Sequence, residues 1–221
     1  GLSVAAIPEG LPAVLTITLA IGVRTMAQRN AIVRRLPAIE TLGAVSVICS
    51  DKTGTLTRNE MMAADVVIAD QVYQITGEGY APAGGILRNG QTLAAGADPL
   101  LTAFARAAYW CNDARLHEQE GQWCTEGDPM EGALLALAGK ISGQGGQAFG
   151  GHTRLDAVPF DAAHRYMAVL SLDSDGLPHI YVKGAPEALL AMCAQQRTPE
   201  GNAPLDADYG LQQVEKLAEK G

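Results

Sequence analysis

Basic residues are in short supply in this sequence. Lys and Arg number 16 against 24 Asp and Glu, so the net charge is −8 and the pI is near 4.9. Such a chain is no candidate for sequence-independent nucleic-acid binding, which draws on clustered cations. Cysteine and histidine are also sparse, four of each. Cys49, Cys111, Cys124 and Cys193 form no C-x-x-C pair, and His117, His152, His164 and His179 form no H-x-x-x-H pair. That spacing argues against a zinc site and against a disulfide framework. The cysteines read as reduced, cytosolic thiols. Aromatic residues make up 5%, and no internal repeat is visible. There is no initiating Met and no signal-peptide n-region. The sequence opens inside an apolar run and closes on "VEKLAEKG", so it reads as a segment of a longer polypeptide.

Charge is almost absent from the first 26 residues, where Glu9 is the only acid before Arg24. About twenty such residues span a bilayer. Pro8 and Pro12 interrupt the run and predict a broken helix, whose freed backbone carbonyls can face a cavity and hold a cation. Arg24, Arg29, Arg34 and Arg35 follow, and a basic cluster beside an apolar run marks the cytoplasmic side. A kinked core helix of a soluble protein is the competing reading. An ionisable residue inside a spanning helix, here Glu9, is a functional candidate.

Val45-Ser46-Val47-Ile48-Cys49 has the composition of a buried parallel strand. It leads into Ser50-Asp51-Lys52-Thr53-Gly54-Thr55-Leu56-Thr57. A carboxylate at the C-terminal end of a parallel strand stands where α/β sheets place their sites. It can attack a phosphoryl group and carry it as an aspartyl-phosphate. Two anions meet in that step, so Mg²⁺ is expected, with Asp51 and a backbone carbonyl of the Lys52-Thr53 turn as oxygen ligands. Lys52, Thr53, Thr55 and the loop amides are suited to phosphate oxygens. The bland alternative is a turn in which Asp51 merely caps the next element.

Further on, residues 63–75 read as strand and 76–99 as a glycine-rich loop with a short strand. Asp98-Pro99 opens a helix, with Leu101, Phe104, Ala105 and Ala108 as its apolar face. Asp128-Pro129-Met130-Glu131 opens a second helix with a capping-box pattern, which Gly139 is expected to end. A Gly/Gln-rich loop covers 142–151. Residues 166–172 and 179–183 form a hairpin around "DSDG". Pro186 opens a short helix, and a last helix starts near Asp208.

"CSDKTGTLTRNEM" resembles the phosphorylation motif of the P-type ATPases, the self-phosphorylating ion pumps. "AAIPEGLPAVLTITLAIGVRTMAQRNAIVRRLPAIETLGAVSVI" is similar to their fourth transmembrane helix and stalk, in the calcium-pump branch. "WCND" at 110–113, "EGDPMEGALL" at 126–135, "PFDAAHRYMAVL" at 159–170 and "YVKGAPEALLAMC" at 181–193 resemble segments of their nucleotide-binding domain.

The resemblance implies a mixed α/β and α+β chain in four parts. These are a membrane helix over 1–26 and a cytoplasmic stalk over 27–44. Next come the first strand of a haloacid-dehalogenase-like Rossmannoid phosphorylation domain over 45–59, and most of a nucleotide-binding domain, truncated at its C-terminal end, with antiparallel sheet and flanking helices over 60–221. It also implies an integral membrane protein, cytoplasmic after about residue 27, in a bacterial plasma membrane.

Asp51 then matches the phosphorylated aspartate, with Lys52 and Thr53 beside it, and the carbonyl of Thr53 matches a Mg²⁺ ligand. Glu9 and the carbonyls of Val4, Ala5 and Ile7 match the site of the transported cation, Ca²⁺ with Mn²⁺ as the alternative. Phe160 matches the residue that stacks on adenine. Glu131, Arg165 and Met167 match its pocket, and Lys183 and Gly184 match residues that meet the nucleotide. ATP, the membrane and the remaining domains of the polypeptide are the implied partners.

Two readings stay open beside these: Glu131 as a capping-box acid, and Phe160 and Met167 as ordinary core. Ala162 departs from the animal calcium pumps, which carry an arginine there near the phosphates. The T-G-E, T-G-D and G-D-G-x-N-D segments of the family are not among these residues, so the segment alone is not expected to pump. A soluble haloacid-dehalogenase-type phosphohydrolase is a second candidate. Those enzymes carry D-x-D, and Thr53 stands in place of their second acid. A non-catalytic nucleotide-binding module is the third.

Overall fold

The computed structural model describes residues 10–35, 37–145 and 149–220. The chain divides into two compact units, 1–58 and 59–221.

The first unit is dominated by α1 (Leu11–Gln28), which has a mean hydropathy of 1.3 and is long and apolar enough to cross a membrane. None of its residues is buried, and Leu11, Val14, Leu15, Ile17 and Ile21 are exposed. Two of its threonines bond back within the helix: Thr16 and Thr25 donate to the carbonyls of Pro12 and Ile21 at 2.8 and 3.0 Å. Pro12 stands in the first turn of α1, where its missing N–H costs nothing, and so starts this helix and does not break it. Pro8 and the cation-site positions Val4, Ala5, Ile7 and Glu9 lie outside the described residues. Asn30, left-handed at φ 61°, ends the turn after α1, and α2 (Pro37–Gly43) follows.

Residues 45–49 form no strand and lie exposed, contrary to the buried parallel strand their composition predicts. A strand needs a neighbour for its N–H and C=O groups, and the described residues of 1–58 contain no other strand to supply one.

The second unit begins with β1 (Asp65–Ile68), β2 (Gln71–Ile75), β3 (Ile86–Arg88) and β4 (Gln91–Leu93), an antiparallel meander in that spatial order. α3 (Pro99–Trp110) starts at the predicted cap, where the Asp98 carboxylate accepts from the N–H groups of Leu100 and Leu101. β5 (Arg115–Gln119) and β6 (Gln122–Glu126) make a hairpin, and α4 (Pro129–Ser142) follows. Val66, Tyr73, Ile75 and Ile86 of the meander pack with Leu101 and Ala105 of α3 and with Leu137, Ala138 and Ile141 of α4. Phe104 points outward at the margin of the face centred on Leu101, Ala105 and Ala108.

Gly139 does not end α4. The helix runs on to Ser142 and is closed by Gly143 in the left-handed conformation at φ 70°. Gly139 instead admits a neighbour, because a Cβ there would stand 2.5 Å from the Pro82 side chain and 2.7 Å from the Gly145 carbonyl oxygen.

A second antiparallel sheet is built from β7 (Thr153–Asp161), β8 (Tyr166–Leu172) and β9 (Pro178–Gly184), with β8 central. Met167, Val169 and Ser171 alternate along β8 and are buried, the period of a strand with one covered face. α5 (Pro186–Met192), the hairpin β10 (Gln195–Thr198) and β11 (Gly201–Pro204), and α6 (Ala207–Ala218) complete the unit.

Candidate functional site

Asp51 lies in an exposed loop. Its Oδ1 accepts from the Lys52 N–H at 2.7 Å. The loop then folds on the Lys52 carbonyl, which accepts from the N–H groups of Leu56 and Thr57 at 3.0 and 3.1 Å and from the Thr57 hydroxyl at 3.3 Å. Gly54, at φ 73°, makes the turn, and its N–H donates to Thr57 Oγ1 at 3.3 Å. The sequence therefore folds its own aspartate, lysine and threonines into one small polar loop. Among the described residues, no group of three or more His, Cys, Asp or Glu is arranged to hold a metal. The loop offers one carboxylate and backbone carbonyls, a hard-oxygen set that suits Mg²⁺ when water and phosphate oxygens fill the other positions.

The second group of residues meets on the sheet of β7, β8 and β9. Val158 pairs with Ala168 and Asp161 with Tyr166, so Pro159 and Phe160 together stand opposite the single residue Met167. This is a β-bulge, and it tolerates a proline within a strand. Met167 in turn pairs with Lys183. Phe160, Met167 and Lys183 therefore form one row across three strands. Phe160 is 61% exposed, so it is not core and its ring is free to stack. Met167 is 1% exposed and packs with Cys111 and Val169, as core does.

Lys183 reaches off the row to an ion pair with Glu131 of α4, with the two side chains only 16% and 11% exposed. Glu131 does not complete a capping box. Asp128 caps α4 alone, accepting from Met130 and Glu131 N–H at 2.9 and 3.3 Å. The Glu131 carboxylate turns instead to Lys183 and, through Oε2, to the Asp113 N–H at 3.1 Å. Residues 131 and 183 are thus joined by an ion pair that is largely covered by the fold.

Arg165 sits in the β7–β8 turn at φ 60°, with its N–H on the Asp161 carbonyl at 2.6 Å and its guanidinium 3.9 Å from Glu187. Gly184 pairs with Tyr166, and the Ala185 N–H donates to the Arg165 carbonyl at 2.8 Å. A Cβ on Gly184 would strike that carbonyl oxygen and lie 2.6 Å from Tyr166 Cα. The close approach that Gly184 permits in this structure is to β8 itself.

Sequence reasoning did not find the polar cluster behind this row. The Asp113 N–H donates to the Glu131 carboxylate, Asn112 donates to the Glu131 backbone carbonyl, and Arg154 bonds Asp113 and Asn112, so the cluster joins α3, α4 and β7. "WCND" was the signal available, but its pairing with Arg154 required the fold. Trp110 stacks on His152 at 4.6 Å and meets the Tyr181 ring edge-on at 5.2 Å. Cys111 gives its thiol to the Met167 carbonyl at 3.7 Å, and burial pushes that thiol above its ordinary range, so it is an inert core group. A cleft of about 640 Å³ lined by Arg88, Pro99 and Arg197 lies at the other end of α3 and includes none of the row's residues.

Residues 100–221 match the family described as P-type ATPase, cytoplasmic domain N. The chain is 43% identical over 226 residues to the cation-transporting ATPase pma1 of Synechocystis sp., an alignment that covers 100% of this chain and 25% of that protein. It is 38% identical over 189 residues to the calcium-transporting ATPase of Bacillus subtilis, covering 86% of this chain and 21% of that protein. It is 41% identical over 196 residues to the calcium-transporting ATPase type 2C member 1 of Bos taurus, covering 87% and 20%. The chain spans about a fifth to a quarter of the length of the curated relatives it matches.

Proposed function

This chain belongs to the P-type ATPases, and from that premise we propose that it is part of an ATP-driven cation pump of the calcium-transporting kind. The observation that carries the proposal is the gathering of Phe160, Lys183 and Glu131, far apart in sequence, at one place on unit 59–221, with Met167 as the core residue between the first two. An exposed aromatic ring suits a purine face. The partly buried ammonium of Lys183, held by Glu131, suits the electron-rich part of a nucleotide. Arg165 adds a cation at the rim of the same sheet.

In this reading Asp51 is the phosphoryl acceptor. Its carboxylate oxygen forms a bond to the γ-phosphorus of ATP as the bond to the β–γ bridging oxygen breaks, and ADP leaves. Water later cleaves the acyl phosphate, releasing inorganic phosphate and restoring the carboxylate. Lys52 and the loop N–H groups are suited to steady the transferred oxygens. Mg²⁺, held by the Asp51 carboxylate and the Thr53 carbonyl, would offset the charge between nucleophile and phosphate. α1 would lie in the bilayer, with Arg24, Arg29, Arg34 and Arg35 on its cytoplasmic side. Glu9, with the carbonyls of Val4, Ala5 and Ile7, would contribute oxygen ligands to Ca²⁺.

The test uses sealed vesicles containing the full-length protein. ATP-dependent Ca²⁺ uptake that is lost in Asp51→Asn, and weakened in Glu9→Gln, is expected. Uptake of Mn²⁺ in place of Ca²⁺ would reassign the ion. ATP hydrolysis that ignores every cation would replace the pump with a phosphohydrolase. A narrower reading, favoured by the separate compactness of unit 59–221, is a nucleotide-binding module. ATP binding indifferent to Asp51→Asn, with no uptake, would select it.

A further inference from the structure

The Glu131 carboxylate holds Lys183 through one oxygen, while its second oxygen accepts from a backbone N–H, that of Asp113. That N–H lies in the turn between α3 and β5, where Asn112 makes three side-chain hydrogen bonds. Asn112 Nδ2 donates to the carbonyl of Ala108, in the last turn of α3, at 3.3 Å. It also donates to the carbonyl of Glu131, in the first turn of α4, at 2.9 Å. Its Oδ1 accepts from the Ala114 N–H at 2.9 Å. One side chain thus ties the end of one helix to the start of another and turns the chain between them. Only a short side chain with both a double donor and an acceptor can make all three bonds. Arg154 of β7 closes the cluster from the sheet side, with its guanidinium on Asp113 Oδ1 and 3.4 Å from the Asn112 carbonyl.

We infer that Asn112, seconded by Arg154, is a positioning residue of the nucleotide site: it sets the Asp113 N–H that fixes Glu131, and Glu131 fixes the ammonium of Lys183. The inference rests on the reading of Lys183 as a nucleotide contact. A lysine amine rides on a flexible four-carbon stem and loses that freedom when it binds. Holding it in place beforehand lowers the cost of binding.

The experiment takes the full-length protein in membranes with Asn112→Ala, Asn112→Asp and Arg154→Met, each alone and combined with Glu131→Ala. Asn112→Asp keeps the acceptor and loses both donors. Two quantities are read: the rate at which acetic anhydride acylates Lys183, mapped by mass spectrometry, and the equilibrium Kd for ATP. Both Asn112 variants are expected to raise the acylation rate about fivefold and the Kd about tenfold, and Arg154→Met to raise both about threefold. In the Glu131→Ala background each effect is expected to shrink below about twofold, because the group being positioned is gone. A purely structural role would instead leave equal effects in both backgrounds, and that result overturns the inference. Unchanged Lys183 acylation in the Asn112 variants also overturns it. Should the Asn112 variants fail to fold, Arg154→Met, at a half-exposed position, gives the same comparison. Wild-type protein that binds no ATP would defeat the nucleotide reading itself, and Lys183 acylation would still report whether Asn112 holds Glu131.

Discussion

Replacing Gly184 by alanine tests the β8–β9 contact on which Lys183 depends. The added methyl would lie 2.6 Å from Tyr166 Cα and 2.7 Å from Tyr166 Cβ, and it would strike the Arg165 carbonyl oxygen. These atoms are backbone or fixed to it, so no flexible side chain can swing away. β9 must therefore retreat from β8, and the first bond at risk is Ala185 N–H to Arg165 C=O, now 2.8 Å. Overpacking of this kind costs about 1–3 kcal/mol and the lost hydrogen bond about 1 kcal/mol, so a destabilisation of about 2–4 kcal/mol is expected. The neighbouring Lys183 shifts with the strand, and ATP binding weakens too. Urea unfolding of the chain in mild detergent, followed by tryptophan fluorescence, reads the change, because Trp110 packs against Tyr181 of β9. Gly150→Ala is the control: nothing lies within 4 Å of a Cβ there, and its effect should stay within about 0.5 kcal/mol. A Gly184→Ala cost as small as the control's would refute the close approach of β8 and β9.

Phe160→Ala should leave stability within about 0.5 kcal/mol, because the ring is exposed, while raising the ATP Kd; equal losses of both would return Phe160 to the core. Lys183→Met should cost about 2–3 kcal/mol in the same unfolding assay, since it strands the Glu131 carboxylate, and adding Glu131→Leu should recover much of that loss. Burial, with the Asp98 hydrogen bond and charge next in size, pushes the Tyr73 phenol from 10.0 up to about 12. The folded state therefore holds this proton more tightly than the unfolded state. The stability it contributes is full below pH 10 and is lost as the pH rises through 12. Tyrosinate absorbance should show a late-titrating component that vanishes in Tyr73→Phe.

The helix starts were legible in the sequence because their chemistry is local. Asp98-Pro99 and Asp128-Pro129 each place a side-chain acceptor one residue before a proline, and both caps form. The β8–β9 hairpin was legible for the same reason, through the alternation about Asp173–Gly176. β7 was not, because Pro159 reads against a strand; the bulge opposite Met167, a product of pairing, accommodates it. Gly139 misled because a glycine admitting Pro82 and a glycine ending a helix are the same letter. Val45–Cys49 misled because an apolar run specifies burial only where neighbours exist to bury it. At the site, Glu131 and Lys183 were both named from the sequence, but their ion pair was not. Nor was the Asn112, Asp113 and Arg154 cluster, which needs α3, α4 and β7 in place.

The most direct test of the central proposal is covalent. Membranes with the full-length protein are given ATP labelled at the γ-phosphate, and Ca²⁺, Mn²⁺, Na⁺ and K⁺ are varied one at a time. A hydroxylamine-labile label on the peptide containing Asp51 is predicted, dependent on Ca²⁺ and absent in Asp51→Asn. Label that persists in Asp51→Asn, or no label with any cation, would contradict the assignment of Asp51 as the phosphoryl acceptor of a cation pump.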